Sequence, residues 1–570
     1  MADLNIIIAG AAGQGVQSAG EILGKTLLRL GFYVYATQDY QSRVRGGHNF
    51  MRIRFGDRPL IAQVRHSNYL LALNEESLRL HLPDLDPQGL ALCMTDDQGA
   101  VDDPRIRALA DEVGPRSARG EKFVGVKLLS LLFTALGFGP ATLSGAVQAE
   151  MGKRLKPELL QANLEAIAAV AAVVAKGDVH PLPFGPDPSE PRMLVSGNDA
   201  ISLGMVAGGV GVYASYPMTP ASSIMESLAA FGPRVGVAVE QTEDEIAALN
   251  LAIGAAYAGA RAAAGSSGAG MCLMSEAMGL AGITETPVVI IDGQRPGPAV
   301  GMATRTEQSD LLFLVHASQG EFPRAILAPA DHADGFYLAA EAFNLAERWH
   351  IPVFLMDDQA YADALRSVPE FDVSRVKIDR GPLAPEPETP QVLRRYEVTE
   401  SGVSPRAYPA LSKWIVCCDS HEHDEYGRLT DNLQNRDRQN HKRMKKLDGI
   451  AAEFPGPEIV GDPDGTLLLC WGSTVGPVLE ALEQLRGRGH RLGVAIFRHL
   501  FPVNAPKVQA ALSPAKRLIT IEMNYRGQLG QLLRMEAGIA THGHIGKTDG
   551  RGFTVEDVVA RVEPLLGGAS

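Results

Sequence analysis

Short apolar runs alternate with longer segments rich in small residues along most of the chain. VGVAVE, TPVVIIDG, PRAILAP and IPVFLMDD predict strands that are buried on both faces. EIAALNLAIGAAYAGARAAAG and ADGFYLAAEAFNLAERW, which lie between them, predict helices. Because strands that alternate with helices indicate a parallel sheet, we predict an α/β protein built from several parallel-sheet domains.

Changes in composition divide the chain into five segments. Residues 1–178 open with a strand, a glycine loop and a helix, and predict one α/β domain. The proline-dense stretch 179–192 is typical of a linker. Residues 193–365 predict a second α/β domain, and 461–570 return to the same pattern. Residues 366–460 predict an irregular excursion that ends in an exposed, charged helix.

Composition excludes several classes of protein. The 570 residues are 45% hydrophobic and carry a net charge of −13, which argues against nucleic acid as a partner. No apolar run approaches the roughly 20 residues that a membrane span needs, and no basic segment followed by an apolar run stands at the start. We therefore expect a cytoplasmic protein that does not enter a membrane.

Cysteine and histidine patterns give little support for a metal centre. The five cysteines form no C-x-x-C pair, so we expect no iron–sulfur cluster in this chain. The adjacent Cys417 and Cys418 are interpreted as small buried residues, with a redox pair as the alternative. CDSHEHDEYG, with His421 to Glu425, has the composition of a metal site, but contiguous side chains diverge, so a polar surface or an interdomain contact is favoured.

A rigid loop precedes a predicted helix at YASYPMTPAS. Pro217 and Pro220 each fix φ and remove a backbone donor, and Tyr216 and Thr219, which precede prolines, are predicted to be extended. The following SSIMESLAAF predicts the start of a helix. The pattern therefore holds the Thr219 hydroxyl stiffly at the mouth of a helix.

The glycine loop of the first domain is a candidate anion site. AGAAGQGVQSAGEIL places Gly10, Gly13 and Gly15 in a strand-to-helix turn, which directs N–H groups and the positive end of a helix at an anion. Ser18 stands where a dinucleotide fingerprint has its third glycine, and no Walker lysine follows. We interpret the loop as a site for a phosphate-bearing ligand other than NAD; the alternative is an ordinary tight turn.

A second candidate for anion contacts follows in YQSRVRGGHN. Arg43, Arg45 and His48 surround two glycines, which favours an anion-facing loop, although a solvated hairpin fits equally well.

Two stretches of the second domain hold candidate chemistry. Glu240, Glu243, Asp244 and Glu245 crowd a predicted helix start, where the helix dipole favours one or two acids. Glu245 precedes an apolar helix, so we predict a buried carboxyl with a partner, such as a ring nitrogen of a cofactor. Arg295 lies in a Gly/Pro-rich loop after a strand and suits a carboxylate ligand.

These motifs together resemble the α subunit of 2-oxoacid:ferredoxin oxidoreductases. The resemblance rests on YPMTP, EDEIAALNLAIGAAYAGAR, SSGAGMCLMSEAMGLAG, RPGPAVGMATRTEQSD, SGVSPR, EHDEYG and EMNYRGQLGQLLR, in that order. The first 178 residues resemble the γ domain of the same family, through GAAGQGV and SRVRGGHN. The γ–α fusion and EHDEYG look most like the enzymes that use 2-oxoglutarate.

The resemblance implies a γ-type domain, a thiamine-pyrimidine-binding domain and a transketolase C-terminal-like domain. It implies that Thr219 faces thiamine diphosphate and the substrate carboxylate, that Glu245 hydrogen-bonds the pyrimidine N1′ and so favours the imino tautomer, and that Arg295 grips the substrate carboxylate. Further residues of the matching motifs are candidates for cofactor contacts: Tyr216, Pro217 and Gly268 for thiamine diphosphate, and Gly13, Gln14 and Gly15 for coenzyme A.

The resemblance also implies a partner. A separate β subunit would carry the diphosphate and Mg²⁺ site and a four-iron four-sulfur cluster, in an (αβ)₂ heterotetramer that exchanges electrons with ferredoxin. The implied reaction interconverts 2-oxoglutarate and coenzyme A with succinyl-CoA, CO₂ and reduced ferredoxin, a step of the reductive TCA cycle. The alternatives are the same reaction on pyruvate or on branched-chain or aryl 2-oxoacids, a simple thiamine-dependent lyase, and a scaffold that has lost its chemistry.

The substrate's distal carboxylate needs a cation, because burying it unpaired is costly. Arg45 is the first candidate for it, followed by Arg43 and His48. The arginine loop reads GPAVGMAT where the family usually has GPSTGxPT, so two hydroxyls are lost at Ala299 and Val300. We predict that this apolar stretch, Val300 in particular, lines the substrate's methylenes.

Overall fold

The computed structural model describes residues 3–41, 46–116, 123–174 and 182–566. They form two compact units. The first comprises Met1–Val195 with Ala364–Glu370 and Thr554–Glu556; the second comprises Ser196–Asp363, Phe371–Phe553 and Asp557–Ser570. Both units layer helices on sheets, so the predicted α/β class is confirmed.

The first unit is built on an eight-stranded mixed sheet. Asp3–Ala12 pairs parallel to Ser67–Ala72 but antiparallel to Gly46–Gly56, which is also antiparallel to Tyr33–Asp39. The sheet of this unit is therefore mixed: the consecutive strands Tyr33–Asp39 and Gly46–Gly56 are too close in the chain for the crossover that a parallel pair needs. The strands follow the order Ile106–Leu109, Leu85–Met94, Ser67–Ala72, Asp3–Ala12, Gly46–Gly56, Tyr33–Asp39, Leu365–Pro369 and Arg192–Val195.

Helices cover this sheet and enclose an apolar core. They are Val16–Arg29, Glu75–His81, Thr95–Gln98, Val124–Ala135, Pro140–Met151 and Pro157–Val173, with a 3₁₀ turn at Leu82–Asp84. The edge of the sheet is formed by Arg192–Val195 and Leu365–Pro369, which pair with each other and belong to this unit. The sequence pattern instead places these two stretches at the start and the end of the second domain.

The second unit contains a seven-stranded sheet whose neighbouring strands are parallel except at one edge. The order is His499–Phe501, Ala325–Leu327, Pro352–Asp358, Val288–Gln294, Ala262–Ser266, Val212–Ser215 and Ala238–Gln241, and the first of these is antiparallel to its neighbour. The parallel sheet predicted for this region is confirmed. Its helices are Gly197–Ala207, Ser222–Val235, Glu245–Tyr257, Gly268–Ile283, Leu311–His316, His332–Trp349 and Gln359–Ala362.

A five-stranded sheet completes the second unit. Its order is Glu458–Gly461, Leu492–Phe497, Thr466–Trp471, Arg517–Glu522 and Gly543–Gly546, with the helices Val475–Gly487, Ala505–Leu512, Gln528–Ala537 and Val555–Leu566. One buried apolar cluster runs from Phe354 and Met356 of the larger sheet to Leu467 and Trp471 of the smaller one. The two sheets are therefore held by a common core, which removes their apolar faces from water.

The excursion between the two sheets contains two charged helices, each with one buried side and one exposed side. The helices are Leu433–Met444 and Lys446–Glu453; Lys442 and Lys446 are buried and donate to the two carboxylate oxygens of Glu285 at 2.7 and 2.5 Å. The helix Leu433–Met444 exposes Arg436, Asp437 and Arg438 on its other side, while opposite charges satisfy each other on the buried side. Short elements complete this region and the chain: Gln391–Val392, Trp414–Ile415, and the 3₁₀ turns Val373–Arg375 and Gly472–Thr474.

The histidine-rich stretch serves the internal packing of the excursion. The Glu422 carboxylate accepts two hydrogen bonds from Arg443, at 3.0 and 2.7 Å, and the buried His423 ring lies 4.0 Å from that of Tyr396. Cys417 is exposed, so its interpretation as a buried residue is wrong, and Cys418 is half-buried. Among the described residues, no group of three or more His, Cys, Asp or Glu side chains is arranged for a metal ion. No helix in the same residues has the length and apolar run needed to cross a membrane.

Candidate functional site

The candidate residues of the second unit gather at the carboxyl edge of the seven-stranded sheet. Val212–Ser215, Ala262–Ser266 and Val288–Gln294 end there, and the loops that follow carry Thr219, Gly268 and Arg295. Ligand sites of parallel sheets lie at this edge, because side chains from several strand ends converge there.

The loop with Thr219 is fixed from three sides. The Thr219 carbonyl accepts a hydrogen bond from Arg295 Nη1 at 2.8 Å, and the Pro220 carbonyl accepts one from Asn198 Nδ2 at 2.9 Å. Ser266 Oγ donates to the Met218 sulfur at 3.6 Å. The half-buried Thr219 hydroxyl makes no hydrogen bond within the described part of the chain. The structure thus holds this hydroxyl rigidly while leaving it available to a ligand.

Glu245 is the first residue of the helix Glu245–Tyr257. Asp244 caps that helix, accepting from Ala247 N at 2.7 Å, so Glu245 is not needed as a cap. Its side chain is 3% exposed, and its Oε1 has no hydrogen-bond partner among the described residues. A Cβ on Gly270 would lie 2.8 Å from Glu245 Cγ and 2.9 Å from Oε1, so the glycine leaves room for this carboxyl. A buried carboxylate without a partner is suited to a donor supplied by a ligand.

Arg295 lines a cavity of about 320 Å³. Burial lowers the pKa of Arg295, and the nearby Glu245 opposes that shift. Gly268, at the start of the helix Gly268–Ile283, forms part of the wall. The complete lining is Gly268, Ala269, Cys272, Arg295, Pro296, Gly297, Pro298, Ala299, Asp310 and Phe313. The lining holds one cation, Arg295, and one carboxyl, Asp310, among mostly apolar residues, and the cation suits a small anion such as a carboxylate.

Comparison with known proteins gives matches over nearly the whole chain. The family model described as "Pyruvate flavodoxin/ferredoxin oxidoreductase, thiamine diP-bdg" matches residues 203–442. "Pyruvate ferredoxin/flavodoxin oxidoreductase" matches 5–173, and "Pyruvate:ferredoxin oxidoreductase core domain II" matches 465–558. The chain is 32% identical to subunit alpha of 2-oxoacid:ferredoxin oxidoreductase 2 from Aeropyrum pernix, over 99% of this chain and 98% of that relative. This chain belongs to the 2-oxoacid:ferredoxin oxidoreductase α subunits.

Two further members of the family are named for a particular substrate. The 2-oxoglutarate oxidoreductase subunit KorA of Mycobacterium tuberculosis is 29% identical over 99% of this chain and 92% of its own. The solved 2-oxoglutarate:ferredoxin oxidoreductase from Magnetococcus marinus, with 2-oxoglutarate, coenzyme A and succinyl-CoA bound, is similar with a TM-score of 0.89 and 28% identity, covering 99% of this chain and 100% of that one.

Asp310 lines the cavity of this α subunit, although the sequence analysis assigns it no role. It follows the loop whose Gln308 donates to the Trp471 carbonyl at 3.0 Å and accepts from Met523 N at 3.0 Å. Gln528 donates to the Ser309 carbonyl at 2.6 Å. The smaller sheet thus anchors the loop that carries Asp310, which gives a structural reason for the EMNYRGQLGQLLR motif. The only sequence signal for Asp310 was its position at the end of the arginine loop.

Other predicted contacts of the α subunit lie outside the cavity lining. Tyr216 is 39% exposed and Pro217 is exposed, so both face outward from the loop with Thr219. Val300 is 67% exposed and does not belong to the wall, although Ala299 does. Their contacts with a cofactor or substrate stay predictions.

The glycine loop has the conformation expected of an open anion site. Gly13 and Gly15 have φ of 91° and 85°, and a Cβ on either would meet no atom within 4 Å. The Gln14 amide is used inside the loop, because its Oε1 accepts from Ala11 N at 2.6 Å and from Asn74 Nδ2 at 2.7 Å. The backbone of the loop, rather than the Gln14 side chain, therefore remains available to an anion, and its contacts with coenzyme A stay a prediction.

His48 lies on the strand Gly46–Gly56 of the same unit, and its Nε2 is 2.8 Å from the Nε2 of His81. Arg43 and Arg45 lie outside the described residues, so their contacts with the substrate stay predictions.

Proposed function

We propose that this α subunit, together with a β subunit, interconverts 2-oxoglutarate, coenzyme A and two oxidised ferredoxins with succinyl-CoA, CO₂, a proton and two reduced ferredoxins. The observation that carries the proposal is the buried Glu245 carboxylate, whose Oε1 has no partner in the described part of the chain and which lies at the same sheet edge as the Thr219–Arg295 pair. The family model for thiamine diphosphate binding spans all three residues.

The residues present fit the pyrimidine half of thiamine diphosphate. Glu245 Oε1 lacks a donor, and the space beside Gly270 accommodates the glutamate side chain without steric conflict. When bound, thiamine diphosphate supplies the nucleophilic carbon and the electron sink that cleavage of a 2-oxoacid requires. The β subunit is expected to hold the diphosphate, the Mg²⁺ ion and the iron–sulfur cluster.

The chain's own residues then have distinct tasks. Glu245 holds a proton at the pyrimidine N1′, which tunes the acid–base behaviour of the ring. Arg295 binds the carboxylate next to the keto group, and its bond to the Thr219 carbonyl fixes the guanidinium relative to the Thr219 hydroxyl. The hydroxyl donates to the reacting carboxylate or keto oxygen. Because the loop is already rigid, little ordering remains to be done when substrate binds.

The choice of 2-oxoglutarate rests on the relatives named for that substrate and on the cationic loop of the first unit. A second candidate substrate class, pyruvate and other 2-oxoacids, is favoured by the names of the family models and of the Aeropyrum relatives. The reaction type is the same for both classes.

The test uses the α subunit co-purified with its β partner. Reduction of a viologen dye that requires coenzyme A is measured with 2-oxoglutarate, pyruvate, 2-oxobutyrate and an aryl 2-oxoacid. We expect the highest kcat/KM with 2-oxoglutarate and a rate about 10²–10⁴-fold lower with the Glu245→Gln complex. A higher kcat/KM with pyruvate would reject the substrate, and no turnover of any 2-oxoacid would reject the function.

A further inference from the structure

A carboxyl group forms part of the wall that Arg295 shares. Asp310 lines the same cavity, and its Oδ2 is shielded from solvent without a hydrogen-bond partner among the described residues. A Cβ on Gly268 would lie 2.7 Å from that oxygen, so the absence of a side chain at the helix start gives the carboxyl its space. Its backbone is fixed, since Asp310 N donates to Gln294 Oε1 at 3.2 Å.

The groups around Asp310 are mostly acidic. Asp292, on the strand Val288–Gln294, is fully buried with both oxygens unpartnered, and its charged form is opposed by burial, then by Asp310 and Asp357. Glu307 of the same loop also faces Asp310, Cys272 lies on the neighbouring helix, and Arg295 is the cation of the wall.

These surroundings keep Asp310 protonated. Burial, followed by the charge of Glu307, raises the pKa of Asp310 to about 7. Burial also raises the pKa of Asp292 well above its usual range, which favours the neutral form of this neighbouring carboxyl. A protonated carboxyl is a hydrogen-bond donor, whereas an ionised one only accepts.

We propose that Asp310 is a substrate-contacting residue that, in its neutral form, donates a hydrogen bond to the carboxylate or keto oxygen of the 2-oxoacid held by Arg295. The proposal rests on the proposed function, because it takes the cavity to be the 2-oxoacid site. Arg295 then supplies the charge and Asp310 the neutral second donor, with the apolar Ala299 and Phe313 completing the wall.

The consequence is a pH-dependent affinity whose sign is fixed. Above its pKa Asp310 is an anion that faces an anionic substrate, so KM rises with pH, by about tenfold for each unit if only the neutral form binds. Below the pKa of Asp310, this residue causes no change of KM with pH. Docking of a β subunit would remove more water and move the rise to higher pH.

The experiment compares variants of the αβ complex between about pH 6 and pH 9. In Asp310→Asn the amide keeps a donor but does not ionise, so KM at neutral pH stays within about threefold of wild type and the alkaline rise in KM disappears. Asp310→Ala loses the donor and raises KM about 10- to 150-fold at neutral pH. Glu307→Gln removes the neighbouring charge, so the rise begins at lower pH.

Glu276→Gln is the matched control, because Glu276 is exposed on the helix Gly268–Ile283 and does not line the cavity. Its KM profile should follow wild type.

Thermal unfolding of the full chain gives a readout that does not depend on turnover. A carboxyl whose pKa is raised by folding is destabilising once it ionises, so Tm of Asp310→Asn should increase relative to wild type as pH rises from about 4 to about 7, and the difference should then level off.

An alkaline rise in KM that persists in Asp310→Asn would overturn this proposal alone, as would a Tm difference between the two proteins that does not change with pH. A wild-type complex that turns over no 2-oxoacid would overturn the proposed function and this inference together.

Discussion

Glu245→Gln should make the chain more stable and the enzyme nearly inactive. In the folded chain Glu245 Oε1 is buried and unpartnered, and a buried polar atom in that state costs about 1–3 kcal/mol, more if it is charged. Glutamine has nearly the same shape and no charge, so part of that cost is removed. Given the unfolding entropy of a domain of this size, the increase in the free energy of unfolding should raise Tm by roughly 1–4 °C.

Turnover should change in the opposite direction. Glutamine does not hold a proton at the pyrimidine N1′ as a carboxylate does, and positioned acid–base groups contribute about 10²–10⁴-fold to rate. We therefore expect kcat of the αβ complex to fall by about 10²–10⁴-fold while the Tm of the variant equals or exceeds that of wild type. The assays are dye reduction with saturating thiamine diphosphate and thermal unfolding of the same preparation.

The neighbouring acid provides the control. Asp244 caps the helix through Ala247 N, and asparagine is as good a cap, so Asp244→Asn should leave both Tm and rate near wild type. A Glu245→Gln rate within about threefold of wild type would refute the reasoning, because Glu245 would then be only an acid at a helix start. A large loss of Tm would show instead that its partner lies within the protein.

Three further predictions concern the partner, coenzyme A and the substrate. The chain alone, given thiamine diphosphate, should be colourless and reduce no dye with a 2-oxoacid; activity of the isolated chain would contradict a divided site. Gly13→Val, at φ 91° with open space beside it, should raise KM for coenzyme A and not for the 2-oxoacid, whereas Gly139→Val, equally open but at φ −72°, should change neither. Arg45→Ala should lower kcat/KM for 2-oxoglutarate about 10- to 150-fold and leave residual activity on pyruvate unchanged; equal losses on both would assign Arg45 to another task.

The parts of the fold that could be predicted from sequence are those with a local signal. The apolar runs TPVVIIDG, PRAILAP and IPVFLMDD became strands of one sheet because each is buried on both faces. The expectation of burial is wrong for VGVAVE, which forms the edge strand Ala238–Gln241 and is mostly exposed. Pairing between distant segments left no such signal. Nothing local indicates that Leu365–Pro369 joins the sheet of the first unit, because its partners, Tyr33–Asp39 and Arg192–Val195, lie far away in the chain.

The same distinction separates the predicted site residues from the missed ones. Thr219, Glu245 and Arg295 each break a local rule: a threonine between two prolines, an acid before an apolar helix, and a cation in a Gly/Pro loop. Asp310 breaks none, since an aspartate before LLFLVH looks like an ordinary helix cap. In the structure it makes no side-chain cap, and its proximity to Asp292 is visible only after folding.

Buried charges in the second unit are treated in two contrasting ways. Glu285 is fully buried, and both of its oxygens are met by lysines that lie 157 and 161 residues away in the chain. Glu245 is buried almost as deeply, yet its Oε1 has no donor within the described residues. Burial lowers the pKa of Lys446 to about 7, so the charged form of this lysine is less favourable even though it is paired with Glu285. Two lysines stabilise the buried Glu285 carboxylate, and a donor within the chain would stabilise the buried Glu245 carboxylate in the same way. Glu245 Oε1 has no such partner among the described residues, and it lies at the sheet edge where Arg295 and Asp310 line one cavity. This is expected if the missing donor comes from outside the chain.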